Sequence, residues 1–267
     1  MPLSALALRT RWSVARMHQG RQQPFMPAGL TTPVQAMGLD FPSPLVLAAG
    51  FDRHGRLFDA AARLGLGAIE AGSMNCAPDR PVPPLLWSRH SAVRRGLSLG
   101  KPPGMTWAQA PAAFLHALVN WHRCADYVTL NPGPDCPSPD DLARVMTALM
   151  DARMHLPRRS PLPLVAKLPA RWLGRTTRRS TLHRFADTGC EGLLLSMEGL
   201  TEPPGESLAD IAGIASPGIT LISVGGISTP DDVRRRLRAG MHLVQMHRAF
   251  ARTLPQRDAM RVRGQRM

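Results

Sequence analysis

The 267-residue chain is 44% hydrophobic and 5% aromatic, with one tyrosine, 26 prolines and a formal net charge of +14. That length and apolar content suit a single α/β domain whose core is built from Leu, Val, Ala and Met. Cys76, Cys124, Cys136 and Cys190 lack C-x-x-C spacing, which disfavours a zinc site or disulfide framework, and no apolar run is long enough to span a bilayer.

Arginine carries the charge, because Lys101 and Lys167 are the only lysines. Arginines cluster as Arg94-Arg95, Arg158-Arg159, Arg178-Arg179 and Arg234–Arg236, with no aromatics interleaved. That pattern reads as a solvated surface, and nucleic acid is disfavoured as a partner. Residues 1–33 form a basic, irregular extension. Within it, Leu6–Met17 is a candidate short amphipathic helix that would touch an anionic membrane; a frayed tail is the simpler reading. The N-terminus has no apolar core of a secretory signal. The expected location is the cytoplasm, or the cytoplasmic face of a membrane as a peripheral protein.

From Val34 onward strands and helices alternate. Leu45–Ala49 is Pro-bounded, wholly apolar and too short for a helix, as expected of a strand buried on both faces. Arg56–Leu64 follows as a helix, then strand Ala68–Ala71. Residues 77–92 are rich in Pro and Arg and lack helical period. Next come strand Gly96–Gly100, helix Trp107–Arg123, strand Tyr127–Leu130 and helix Ser138–Leu156, the last opening Ser-Pro-Asp-Asp with a good N-cap. Strand Leu162–Leu168, helix Ser180–Thr188, strand Glu191–Ser196 and helix Ser207–Ala215 continue the alternation. Strand Ile219–Val224, helix Thr229–Ala239, strand Leu243–Met246 and a final helix over Leu254–Val262 complete it. Eight strands, each but the second followed by a helix, predict a (β/α)8 TIM barrel shortened after strand 2, occupying residues 34–267.

In such a barrel, chemistry sits at the C-terminal ends of the strands. Polar residues there are Asp52, Arg53, Ser73, Ser98, Asn131, Lys167, Ser196, Gly225-Gly226 and His247-Arg248. Lys167 interrupts an apolar strand, and a buried lysine needs an anionic partner or a depressed pKa. The alternative is that it snorkels to the surface. Ser223-Val-Gly-Gly-Ile227 before a helix, with Arg248 after the next strand, matches the phosphate site of many barrels. The plain alternative is a tight turn without a ligand.

These motifs together resemble the dihydroorotate dehydrogenases, in particular the membrane-associated, quinone-using class. The resemblance is carried by Met37-Gly-Leu, Pro44-Leu-Val-Leu-Ala-Ala-Gly-Phe-Asp52, Gly67-Ala-Ile-Glu-Ala-Gly-Ser73 and Asn131. It continues through Val165-Ala-Lys167, Gly192-Leu-Leu-Leu-Ser196, Ser223-Val-Gly-Gly-Ile227 and Gly240-Met-His-Leu-Val-Gln-Met246, in order across about residues 34–251. It implies FMN at the barrel mouth. Flavin contacts would come from Ala49, Gly50, Phe51, Asp52 and Arg53, then Ser73, Ser98, Asn131, Lys167 and Ser196 around the ring and ribityl chain. Gly205, Gly225, Gly226, His247 and Arg248 would surround the phosphate. The implied substrate is dihydroorotate or a close relative, touched by Arg53, Asn131, Asp135, Met197 and Glu198, and a quinone is the candidate acceptor.

The chain departs from the family where substrate would sit. Arg53 stands where the family has lysine, a swap that is not conservative. The Asn-rich loop and helix after strand 2 are missing, leaving residues 77–95. The family's base is a Ser or Cys in the loop after the fourth strand. Here Asn131-Pro-Gly-Pro-Asp-Cys-Pro137 puts Gly133 or Pro134 at that position. Cys136 is the nearby candidate base; an ordinary loop cysteine is the alternative. Asp135 and Glu198 would repel an anionic substrate. Three readings follow: a flavoenzyme oxidising dihydroorotate or a relative, a diverged paralogue that keeps FMN or another phosphate ligand without that oxidation, and an Arg-rich barrel whose surface binds nucleic acid or an anionic membrane.

Overall fold

The computed structural model describes residues 30, 32–52, 55, 58, 65–75, 77, 85, 92–198 and 204–247. The candidate helices at Leu6–Met17 and Leu254–Val262, and nearly all of that at Arg56–Leu64, lie outside the described residues.

Eight parallel strands close on themselves: β3 (Leu45–Asp52), β4 (Ala68–Asn75), β5 (Arg94–Gly100), β6 (Tyr127–Asn131), β7 (Leu164–Leu168), β8 (Gly192–Ser196), β9 (Thr220–Val224) and β10 (Leu243–Met246), the last pairing with β3. Five helices are described between the later strands: α1 (Ala110–Trp121), α2 (Pro139–Arg153), α3 (Arg178–Asp187), α4 (Pro204–Ile214) and α5 (Pro230–Arg238). The expected (β/α)8 barrel is the observed fold. Its apolar residues separate into a shell between strands and helices and a smaller cluster inside the barrel, the latter including Val46, Ala68, Tyr127, Val165, Leu194 and Ile222.

A two-stranded antiparallel hairpin, β1 (Val34–Ala36) and β2 (Leu39–Phe41), precedes the barrel and was not anticipated. Its turn puts Met37 and Gly38 at φ 55° and 70°, the two-residue geometry whose twist matches flanking strands. The hairpin plugs the floor. Met37 N–H donates to Thr220 Oγ1 at 2.8 Å, and the Phe41 and Tyr127 rings lie 6.1 Å apart. Gly67 packs against the same end: a Cβ there would stand 1.9 Å from the Ser43 carbonyl oxygen.

Most boundaries move by one to three residues from expectation. The larger shifts have local causes. Strands β3 and β4 run on to Asp52 and Asn75 through irregular pairing between Leu47 and Asp52 and between Ala71 and Met74. Bulges of this kind re-aim side chains at a barrel rim. Strand β5 begins at Arg94, so the arginine pair belongs to the sheet and not to the loop before it. Arg95 clasps Asp126 through Nε at 3.1 Å and Nη2 at 2.8 Å, and Asp126 also accepts from Arg95 N–H. Helix α1 starts at Ala110, beside Pro111 in its first turn, and α4 starts at Pro204.

Several arginines read as surface are structural. Arg178 and Arg236 are buried; Arg178 pairs with Asp210, and Arg236 donates to Ser223 Oγ at 2.7 Å and to Gly225 O at 2.8 Å. A planar fork of donors suits such bridging between elements. The Ser138 N-cap is present, its Oγ accepting from Asp141 N–H. Thr229 and Asp232 form a full capping box at α5.

At Asp232, burial opposes ionisation, but hydrogen bonds from Ser228, Thr229 and Arg235 outweigh it and hold the carboxyl below its usual range. A depressed native pKa gives stability that is complete above the unfolded pKa and is lost as pH falls through the native one. Asp232→Ala therefore lowers unfolding free energy by about 1 kcal/mol at neutral pH. In urea unfolding measured across pH, that deficit shrinks in acid; a pH-independent deficit would contradict the charged cap.

Candidate functional site

Alternation along a strand sends every second side chain into the barrel. At the C-terminal mouth these side chains enclose a cavity of about 400 Å³, within the usual size of a small-molecule site. Its walls come from every strand of the barrel: Ala48 and Ala49 on β3, Glu70 and Ser73 on β4, Ser98 on β5, Asn131 on β6, Lys167 on β7, Leu194 and Ser196 on β8, Val224 on β9 and Gln245 on β10. Glu198, Gly225, Gly226, Ile227, Ser228 and His247 complete the rim.

One wall is a hydroxyl and amide cluster. Asn131 Nδ2 donates to Ser73 Oγ at 2.8 Å, Ser73 and Ser98 hydroxyls lie 3.1 Å apart, and Asn131 Oδ1 accepts from Gly133 N–H at 3.3 Å. The floor is charged. Desolvation pushes the Lys167 ammonium pKa down, and the carboxylates of Glu70 and Glu198 push it back up. Burial raises the Glu70 pKa, against Thr129, Gln245, Lys167 and Tyr127, which favour its ionised form.

The opposite rim is glycine-built. Gly225 and Gly226 have φ of 93° and 67°, a region costly for other residues. A Cβ on Gly225 would come within 2.9 Å of Glu198 N. The helix terminus beside them is already engaged: Ser228 and Thr229 N–H both donate to Asp232 Oδ2 at 2.8 Å. Of the expected phosphate cradle, the glycine turn is the part that faces the cavity unencumbered by that cap. Gly50, at φ 105°, lets His247 approach: a Cβ there would stand 3.1 Å from His247 Nε2. The His247 ring in turn meets Phe51 at 4.9 Å.

Ala49, Ser73, Ser98, Asn131, Lys167, Ser196, Glu198, Gly225, Gly226 and His247 thus share one cavity. Other candidates lie elsewhere. Phe51, Asp52 and Met197 are buried and outside its lining, and Met197 packs in the core. Gly205 falls in the first turn of α4. Arg53 and Arg248 lie outside the described residues.

The loop after β6 corrects the expectation of a thiol base. Cys136 is 3% exposed and packs in the outer core, donating from Sγ to Ser138 O at 3.5 Å. Desolvation pushes its thiol up to about 12, which leaves almost no thiolate at neutral pH. The loop is also fastened from outside. Arg171 Nη2 donates to Cys136 O at 3.1 Å and Gly133 O at 3.4 Å, and the Lys101 side chain, 4% exposed, pairs with exposed Asp135 at 2.9 Å. The Lys101 hydrogen bond lowers the Asp135 pKa, so Asp135 is committed to that pair and is outside the cavity lining.

Glu70 and Gln245 are the residues that sequence reasoning passed over. The signal was present for Glu70: a lone acid inside Ala-Ile-Glu-Ala is as anomalous as Lys167 inside its own apolar strand.

No family model matches the chain. Curated relatives of the chain include proteins named dihydroorotate dehydrogenase (quinone). One from Thermus thermophilus is 28% identical over 268 residues, covering 81% of this chain and 77% of the relative. That of Halorhodospira halophila is 29% identical over 280 residues, covering 80% of each. That of Rhodococcus opacus is 27% identical over 310 residues, covering 94% and 84%. Among solved structures, the ligand-free DHODH of Eimeria tenella superposes with a TM-score of 0.75 at 17% identity, over 93% of this chain and 91% of that one. A mandelate oxidase variant shares the barrel at a TM-score of 0.54 and 17% identity, over 85% and 72%.

The buried thiol makes a direct forecast. In the folded protein, iodoacetamide alkylates Cys136 at least about tenfold more slowly than half-buried Cys124, as read by mass spectrometry of peptides. Equal rates would mean that Cys136 is an accessible thiolate after all.

Proposed function

We propose, from its homology with the quinone-linked dihydroorotate dehydrogenases, that this chain is a flavin-dependent oxidoreductase of pyrimidine biosynthesis acting on dihydroorotate or a close relative. The carrying observation is the cavity itself: a desolvated lysine, a hydroxyl and amide wall and a positive-φ glycine turn converge at the C-terminal mouth of the barrel. That donor set fits FMN, whose reduced ring seeks a cation, whose polar ring edge seeks hydrogen-bond partners and whose phosphate seeks a glycine-rich turn.

Bound there, FMN would supply the acceptor for the hydride that leaves the substrate. The protein's own tasks are then to bind and orient. Lys167 would hold positive charge against the ring, Ser73, Ser98 and Asn131 would fix its edge, and Gly225-Gly226 would admit the phosphate. Ala49, Gly50, Ser196 and His247 complete the proposed cofactor contacts, with Arg53, Gly205 and Arg248 added by resemblance. The proposed acceptor is a quinone, met at a membrane surface. Among the described residues no helix is long and apolar enough to cross a bilayer; the proposed membrane contact is a peripheral one through the basic residues 1–33.

Among the described residues, the loop after β6, where the family's base would sit, supplies no group to take the proton. Gly133 and Pro134 cannot take a proton, and Cys136 is buried with its pKa pushed up to about 12. This favours one second reading: a barrel that holds FMN but does not oxidise dihydroorotate.

The visible spectrum of the purified or FMN-reconstituted protein separates the two. A yellow protein bleached by dihydroorotate without oxygen supports the oxidoreductase. A yellow protein that dihydroorotate leaves unchanged supports the second reading, and failure to take up FMN overturns both. Lys167→Ala weakens FMN binding at least about tenfold, roughly 1.4 kcal/mol, measured by quenching of flavin fluorescence. Unchanged affinity would remove Lys167 from the cofactor site.

A further inference from the structure

Beneath the mouth lies a buried acid to which the proposed reaction gives no task. Glu70 is 1% exposed, on the inner face of β4, and borders the same cavity as Lys167. The sheet makes room for it. Glu70 registers with Gly96 and Gly96 with Tyr127. A Cβ on Gly96 would stand 2.5 Å from Tyr127 Oη and 2.6 Å from Glu70 Cγ. Only glycine lets those two side chains meet across the intervening strand.

The groups around Glu70 are donors. Thr129 Oγ1 donates to Glu70 Oε1 at 2.8 Å. Tyr127 Oη and Gln245 Nε2 are buried without a hydrogen-bond partner of ordinary geometry, yet both stand close enough to Glu70 to favour its ionised form. Tyr127 keeps its proton, because burial and then the Glu70 charge drive its pKa well above the usual value. Donors on several sides are what a carboxylate requires and a neutral acid does not. The charges acting on Lys167 are Glu70 and then Glu198. Of the titratable groups facing it, Glu70 and Tyr127 come from the barrel interior, Glu198 and His247 from the rim.

We infer that Glu70 is a positioning residue: its buried carboxylate is the counter-ion that keeps Lys167 protonated inside the cavity. An isolated buried ammonium neutralises itself by losing its proton, whereas a pair of opposite sign can both stay charged. Glu70 therefore decides whether the cavity presents a cation to its ligand. The pairing stands on the protein without cofactor; its consequence for FMN rests on the function proposed above.

Two lysines in the whole chain make the test direct. Lysine-selective ¹³C labelling gives one side-chain signal for Lys101 and one for Lys167, assigned with Lys101→Arg. In Glu70→Gln, the Lys167 titration midpoint falls by at least about one pH unit while Lys101 stays put. An unchanged Lys167 midpoint overturns the pairing. If Glu70→Gln does not fold, Lys167→Met tests the pair from its other side. Losing the ammonium raises the Glu70 pKa, and a protonated-carboxyl infrared band, absent from the wild type, appears near neutral pH. No new band in Lys167→Met overturns the inference equally. FMN titration of the same proteins is scored separately: a wild type that ignores FMN refutes the flavin reading, and the lysine midpoint still decides the pair.

Discussion

Everything at the mouth of this barrel depends on one desolvated cation. Lys167 sits on a strand whose other residues are buried and apolar, and water cannot reach it freely. A charge in that position is sustained by neighbours of opposite sign or not at all. Glu70 and Glu198 supply them from two sides. The hydroxyl wall, the glycine turn and the bulged ends of β3 and β4 then define the space into which that charge acts.

The barrel makes the arrangement possible. Closure of eight parallel strands leaves the barrel sheet without an edge, and the β1–β2 hairpin packs across its far end, with Ala36, Met37 and Phe41 in the interior cluster. Arginine does much of the bracing. Arg95 ties β5 to the turn before β6, Arg236 ties α5 to β9 and the glycine turn, and Arg153 joins α2 to Glu191 at 2.7 Å ahead of β8. The high arginine content is thus partly internal scaffolding, which a view of these residues as mere solvated charge misses.

The barrel was legible because parallel strands buried on both faces read as short apolar runs closed by Gly or Pro, and because Ser138 and Thr229 announce their helices. The hairpin was harder: each strand is three residues long, and its turn uses Met37 where Asn or Asp would have signalled it. Most of the cavity lining was legible as polar residues at strand ends. Glu70 escaped although its signal matched that of Lys167, because attention went to the polar residues that close each strand, here Gly72-Ser73. Cys136 misled because its place in a loop sequence says nothing about burial; Arg171 directs its guanidinium to carbonyls, and the thiol turns into the core. The clasp of Lys101 on Asp135 joins residues from two different loops, which no local pattern encodes.

If this cavity is a flavin site whose charged floor is Lys167, a crystal structure of the protein reconstituted with FMN will show it. The isoalloxazine ring is expected among Ser73, Ser98 and Asn131, with the Lys167 ammonium in contact with the ring and the phosphate at Gly225-Gly226. FMN density elsewhere on the molecule, or a ring bound with Lys167 turned away from it, would refute the assignment.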